Sequence, residues 1–218
     1  MKHLNVPQSG SQADTTASRN RYGQYYRTRA TPVNPNSSAQ GSARARLAAG
    51  AAGWRALTDA QRLGWDTLGS QMQRTDSLGQ SYTLTGFQAY VSVNNNKQLV
   101  GDALVDEAPA LLTPEAILTA TPTFSDTAMS LAFTPTPLGT GERILVFCSV
   151  QKSAGRKFEG DVRYVQCSAA AGTSPIDIET AYIARFGGLV TGNKVFYQVY
   201  RYVGGFVSGP LTASAIVG

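Results

Sequence analysis

From Ser42 onward apolar side chains recur at helical spacing. Ala43, Leu47, Ala51 and Trp54 fall at i, i+4, i+8 and i+11, one face of a first helix. Gly50 and Gly53 weaken that helix, so packing must hold it. Thr58-Asp59-Ala60-Gln61 reads as a capping box with an acid in the first turn, and it starts a second helix whose apolar face is Trp65, Leu68 and Met72. Residues 74–83, "RTDSLGQSYT", read as a turn or short hairpin. A third helix begins near Thr85, with Phe87, Tyr90 and Val91 at i, i+3 and i+4, and "NNNK" at 94–97 makes its second half polar.

After Val100 the pattern changes. Residues 101–116 carry Pro109, Pro114 and a local acidic bias, which predicts a partly ordered linker. Alternating runs then fall at 117–123, 127–134, 143–151, 161–168, 175–181, 194–203 and 210–217. Short strands at such spacing, separated by turn residues, are the signature of a β-sandwich. Residues 1–40, rich in Ser, Thr, Gln, Asn and Pro, offer too little apolar surface to fold alone and read as an extended arm. The predicted class is α+β in two domains: a basic arm (1–40), a small three-helix bundle (41–100), a linker (101–116) and an all-β sandwich of about seven strands (117–218).

Charge sharpens this division. The 218 residues carry a net +5, but residues 1–46 hold seven basic side chains (Lys2, Arg19, Arg21, Arg27, Arg29, Arg44 and Arg46) against Asp14 alone, a net of +6. The basic character belongs to the arm. Within it Tyr22, Tyr25 and Tyr26 interleave with Arg19, Arg21, Arg27 and Arg29. Arginine with tyrosine suits protein–protein hot spots, the reading favoured here, and also suits base stacking with phosphate contact. These seven residues are the candidate partner-binding set.

No catalytic constellation is legible. The single histidine, His3, lies in the arm, so neither a nucleophile–histidine pair nor a zinc cluster is expected in the folded domains, and no cofactor or metal is called for. "PLGTGERIL" reads as a hairpin turn rather than a phosphate cradle. The pairs Glu159/Asp161 and Asp177/Glu179 read as solvated strand or loop faces. Cys148 and Cys167 lie in predicted strands and could meet across a sheet, but are expected reduced and buried. The N-terminus has no apolar leader region and no run approaches a membrane span, which predicts a soluble chain.

Three stretches carry resemblances. "TAMSLAFTPTP" and "KVFYQVYRYVGGFVSGPLTASAIV" resemble a fibronectin type III (Ig-like) domain over residues 117–218. Phe133 falls where that family usually has a strand-B tryptophan, and Arg201 stands where a small residue is usual. "ARARLAAGAAGWRALTDAQRLGWDTLGSQM" resembles the middle of an HMG box, which would make Trp54 and Trp65 part of a DNA-bending platform. Against that, residues 47–100 balance Arg55, Arg62, Arg74 and Lys97 with Asp59, Asp66 and Asp76, so the tryptophans read better as core. Finally, "YGQYYRTRATPVNPNSSAQGSARARLAAGAAGWRALTDAQRLGWD" with "YTLTGFQAYVSVNNN", residues 22–100, looks like a module common in phage and prophage proteins.

That last resemblance implies a virion structural component, assembled in the host cytoplasm. It would be an auxiliary or decorating capsid protein or a head–tail accessory, present in many copies or as a homo-oligomer. Its partners would be major capsid or other virion proteins. The alternative is a nucleic-acid-binding protein using residues 1–46 and the HMG-like helix pair, and a carbohydrate- or receptor-binding sandwich is a third class.

Overall fold

In a computed structural model residues 9–76 and 78–218 are described. The chain divides into two compact units, residues 1–42 and 43–218, each described by itself. Lys2 and His3 lie outside the described residues.

The first unit holds strands β1 (Gly10–Gln12), β2 (Thr15–Asn20) and β3 (Gly23–Thr28), a three-stranded antiparallel meander in that order. The arm therefore has local structure where composition alone predicted none. Threonine and tyrosine favour strands, and short turns close both hairpins.

Helix α1 (Ser38–Ala56) starts at a serine cap: the Ser37 hydroxyl accepts the Gln40 N–H at 3.4 Å while the Gln40 side chain accepts that of Ser37 at 3.2 Å. The same reciprocal box, Thr58 with Gln61 and Thr85 with Gln88, opens α2 (Asp59–Gln71) and α3 (Gly86–Val100). A small hairpin, β4 (Gln73–Thr75) and β5 (Ser81–Thr83), joins α2 to α3.

Trp65, Leu68, Leu57, Ala89, Tyr90 and Val93 form a buried cluster, with Trp54 half-buried beside Phe87 and Tyr90. The inward face of α1 differs from the predicted one. Leu47 is 56% exposed, and Gly50, Gly53 and Leu57 turn inward instead. The glycines permit close approach: a Cβ at Gly53 would run into the Tyr90 hydroxyl.

Residues 119–216 supply β6 (Thr119–Phe124), β7 (Met129–Thr134), β8 (Glu142–Ser149), β9 (Val162–Cys167), β10 (Ile176–Asp177), α4 (Glu179–Phe186), β11 (Lys194–Val203), β12 (Phe206–Val207) and β13 (Leu211–Ile216). One antiparallel sheet has the order β10-β7-β6, and the other β12-β11-β8-β9, with β13 also pairing to β11. Leu131, Phe133, Ile144, Val146, Val195, Tyr197 and Val199, from both sheets, share one core. The protein is thus α+β with antiparallel sheets.

One predicted strand is corrected. The run 175–181 is a two-residue strand followed by α4, because Tyr182 and Phe186, four residues apart, give the segment a helical apolar face that closes on the core. Tyr182 is fully buried and its hydroxyl donates to the Ser149 carbonyl at 3.1 Å.

The helices and sheets belong to the same unit, 43–218. Phe206, beyond the Gly204-Gly205 turn, inserts among the helical core residues. Both glycines have positive φ, and a Cβ on Gly205 would come within 2.6 Å of Val93. Within residues 101–116, read from sequence as a linker, residues 102–106 are held by side chains of the helices and sheets. Asn94, which is buried, bonds both the N–H and the carbonyl of Val105; Trp65 Nε1 donates to the Asp106 carbonyl at 2.7 Å; and Asp102 accepts from Arg143 and the Tyr202 hydroxyl.

Candidate partner-binding surface

The hairpin Thr15–Thr28 gathers the arginine and tyrosine side chains of the arm. Its register pairs Arg19 with Gln24, Ser18 with Tyr25, Ala17 with Tyr26 and Thr16 with Arg27. Because strand side chains alternate, Arg19 and Tyr26 lie on one face and Tyr25 and Arg27 on the other. Arg21 and Tyr22 form the two-residue tip, where the Asn20 side chain accepts the Tyr22 N–H at 2.9 Å and Gly23 takes φ +118°. At the tip the Arg21 guanidinium sits 4.7 Å from the Tyr22 ring centroid, a cation–π pair, with Tyr22 72% exposed. Arg29 follows β3, its N–H donating to the Asp14 carbonyl at 2.6 Å.

All seven residues singled out from sequence thus occupy one small element. Neither face of the meander carries an aliphatic side chain larger than Ala17, so among the described residues the meander has no apolar core of its own. Residues 14–29 carry four arginines and a single acid, Asp14. Such a surface can clamp carboxylates or phosphates bidentately and offer flat aromatic area. Asn20 and Gly23 shape it and were not picked out by sequence; "NRYG" between alternating residues was the available signal.

The remaining candidates resolve simply. Trp65 is fully buried and Trp54 half-buried, so Trp65 offers no wedge to a DNA groove. Glu159 and Asp161 lie in the β8–β9 loop, where Glu159 accepts from Gln198 and Asp161 from Arg163; Asp177 ends β10 and Glu179 opens α4. Cys148 and Cys167 are free thiols, opposite Arg163 and Leu145 rather than each other, with Cys167 only half-buried. Burial pushes the Cys148 thiol up to about 12.

Arg201 meets Glu142 through both Nε and Nη2, the second at 2.6 Å, with the side chains 15% and 17% exposed. Burial pushes the Glu142 carboxyl upward, but the Arg201 hydrogen bonds and charge and the Gly139 N–H outweigh it and hold the group below its ordinary value. Among the described residues no group of three or more His, Cys, Asp or Glu is placed to hold a metal ion, and no helix is long and apolar enough to cross a membrane. Comparison of the chain with protein-family models and with curated proteins finds no match.

Proposed function

We propose that the chain is a structural component of a bacteriophage virion, an auxiliary or decorating capsid protein or a head–tail accessory, anchored by its N-terminal arm. The observation that carries the anchoring is the Arg/Tyr set gathered on a meander without an apolar core, a surface that gains most by covering itself with a partner. The virion setting rests on the resemblance of residues 22–100 to a phage module. On this reading the partners are major capsid or other virion proteins, and repetition in many copies makes weak single contacts sufficient.

The finer architecture belongs to the same proposal. Helices α1 to α3 act as a three-helix module that seats the protein, and residues 117–218 as a fibronectin type III-like sandwich. The strand orders β10-β7-β6 and β12-β11-β8-β9, the buried Phe133 on β7 and the Gly-Gly turn into β12 support that assignment.

The test is a deletion of residues 1–36, which keeps the Ser37 cap and leaves the core of residues 43–218 intact. The truncated chain should keep the circular dichroism and cooperative unfolding of a folded protein yet be lost from particles. Normal incorporation would reject the anchor.

A further inference from the structure

The loop Val150–Asp161 holds a phenylalanine outside any core. Phe158 is 80% exposed between two exposed cations, Arg156 and Lys157, and Glu159. The loop around it is tied down: Lys152 pairs with Lys194, Lys194 Nζ donates to the Arg156 carbonyl at 3.1 Å, and Gln198 donates to the Glu159 carboxylate at 3.1 Å. Phe158 is therefore presented on a fastened loop rather than trailing from a free one. Among the described residues it is more exposed than any other aromatic, ahead of Tyr22, Tyr82, Tyr25 and Phe87.

A groove of about 290 Å³ opens at the other half of the same strand. Leu112, Pro114 and Val203 provide its apolar lining, and Glu115, Glu142 and Arg201 its rim. Leu112 is 43% exposed, and Glu115 is exposed. Arg201 is occupied by Glu142, so the charge left at the mouth is that of Glu115. Residues 98–142 contain six acids and no lysine or arginine, and of these acids Asp102 and Glu142 are paired with Arg143 and Arg201. The loop has the opposite bias, with Lys152, Arg156, Lys157 and nearby Arg163 and Lys194 against Glu159 and Asp161.

We infer that Phe158 of one copy inserts into the groove at Leu112, Pro114 and Val203 of a second copy, with Arg156 and Lys157 facing Glu115. A second copy fits by charge: the exposed Arg156 and Lys157 beside Phe158 are opposite in sign to the exposed Glu115 at the groove, and within one chain the loop is fastened at Lys194 and Gln198 while the groove lies at Val203. Gln198 and Val203 lie five positions apart on one strand, roughly 16 Å at strand rise, and β8 pairs with the whole of that stretch. A knob and a pocket on different parts of one molecule make a heterologous contact, which propagates into a ring or an open chain instead of stopping at a symmetric dimer. One side chain and a few charges make a contact that is weak singly and effective on a lattice.

This inference concerns the 43–218 unit and does not depend on the arm, so it can fail while arm anchoring stands, and the reverse. The experiment is sedimentation velocity of the full-length protein over a concentration series, at about 50 and about 500 mM salt, since contacts between opposite charges weaken with ionic strength. Wild type should show concentration-dependent association that weakens at high salt. F158A, at an exposed position, and L112W, which fills the groove from a half-exposed site, should each sediment as monomer. Mixed, they should form a species that stops at a heterodimer, because one retains the groove and the other the knob. Monomeric wild type, or association unchanged in F158A, overturns the inference. So does a monomeric protein whose Phe158 loop binds a DNA duplex, because the loop is then a nucleic-acid contact.

Discussion

Gly53 lies inside α1, where replacing glycine by alanine at an exposed site would raise stability by about 1 kcal/mol. In this fold Gly53→Ala should do the reverse. The added Cβ would collide with the Tyr90 hydroxyl, and Tyr90 is fully buried, wedged edge-on against Trp65 at 5.1 Å and tilted against Trp54 at 5.7 Å. Its ring has nowhere cheap to go. Overpacking of this kind costs about 1–3 kcal/mol, so the net expectation is a loss of roughly 1 kcal/mol, reaching about 2.

The second half of the cycle isolates the cause. The Tyr90 hydroxyl is buried with no protein hydrogen-bond partner among the described residues, so Tyr90→Phe should be neutral or stabilising. With the oxygen gone, the nearest atom to the new Cβ is the ring Cζ at 3.3 Å, which a shift of a few tenths of an ångström accommodates. Gly53→Ala should then be neutral or recover part of its helix propensity, a coupling of about 1–2 kcal/mol between the two sites. Urea unfolding followed by tryptophan fluorescence reads the effect where it occurs, with unchanged m-values confirming that stability alone moved. A stabilising Gly53→Ala in the wild-type background, or equal effects in both backgrounds, would refute the close-packing argument.

Trp65→Ala removes a fully buried ring and its hydrogen bond to the Asp106 carbonyl, and should cost about 3–5 kcal/mol in the same unfolding assay; a loss below about 1 kcal/mol would mean that the helical core does not depend on it. Cys148, its thiol pushed up to about 12 by burial, should resist iodoacetamide at pH 8 in the native protein and react only on unfolding, and native-state modification at the unfolded rate would contradict its placement. Because the folded Glu142 carboxyl sits below the ordinary value of 4.5, its pairing with Arg201 contributes fully above that pH and is lost as pH falls through the lowered folded value. Glu142→Gln should therefore lower neutral-pH stability by roughly 1.5–3 kcal/mol and flatten the acid limb of the stability–pH curve, and an unchanged acid limb would count against the pair.

Where local chemistry decided the structure, the sequence was readable. Thr58 and Gln61 announce α2 without reference to anything distant, and the alternation of Tyr197, Val199, Arg201 and Val203 announces β11. Long-range packing decided the rest. Leu47 fits a helical stripe, yet the stripe that turns inward runs through Gly50 and Gly53, because small residues are what Tyr90 and Val91 can approach. Asn94 belongs to the run that makes the second half of the third helix polar, yet it is buried, where it bonds Val105. Ile176 and Ile178 continue a strand alternation that α4 interrupts one residue later. In the arm, the residues of the binding set were visible as a composition, but their arrangement on a hairpin depended on the turn at Arg21-Tyr22.

Hydrogen–deuterium exchange of residues 15–28, compared between the free chain and assembled particles, tests the anchoring claim most directly. A meander without an apolar core opens readily, so its amides should exchange fast in the free protein and slow by about 100-fold or more once a partner covers Tyr22, Tyr25 and the arginines. Equal exchange in the two states would contradict the account, because the hairpin would then be no more protected in the particle than alone.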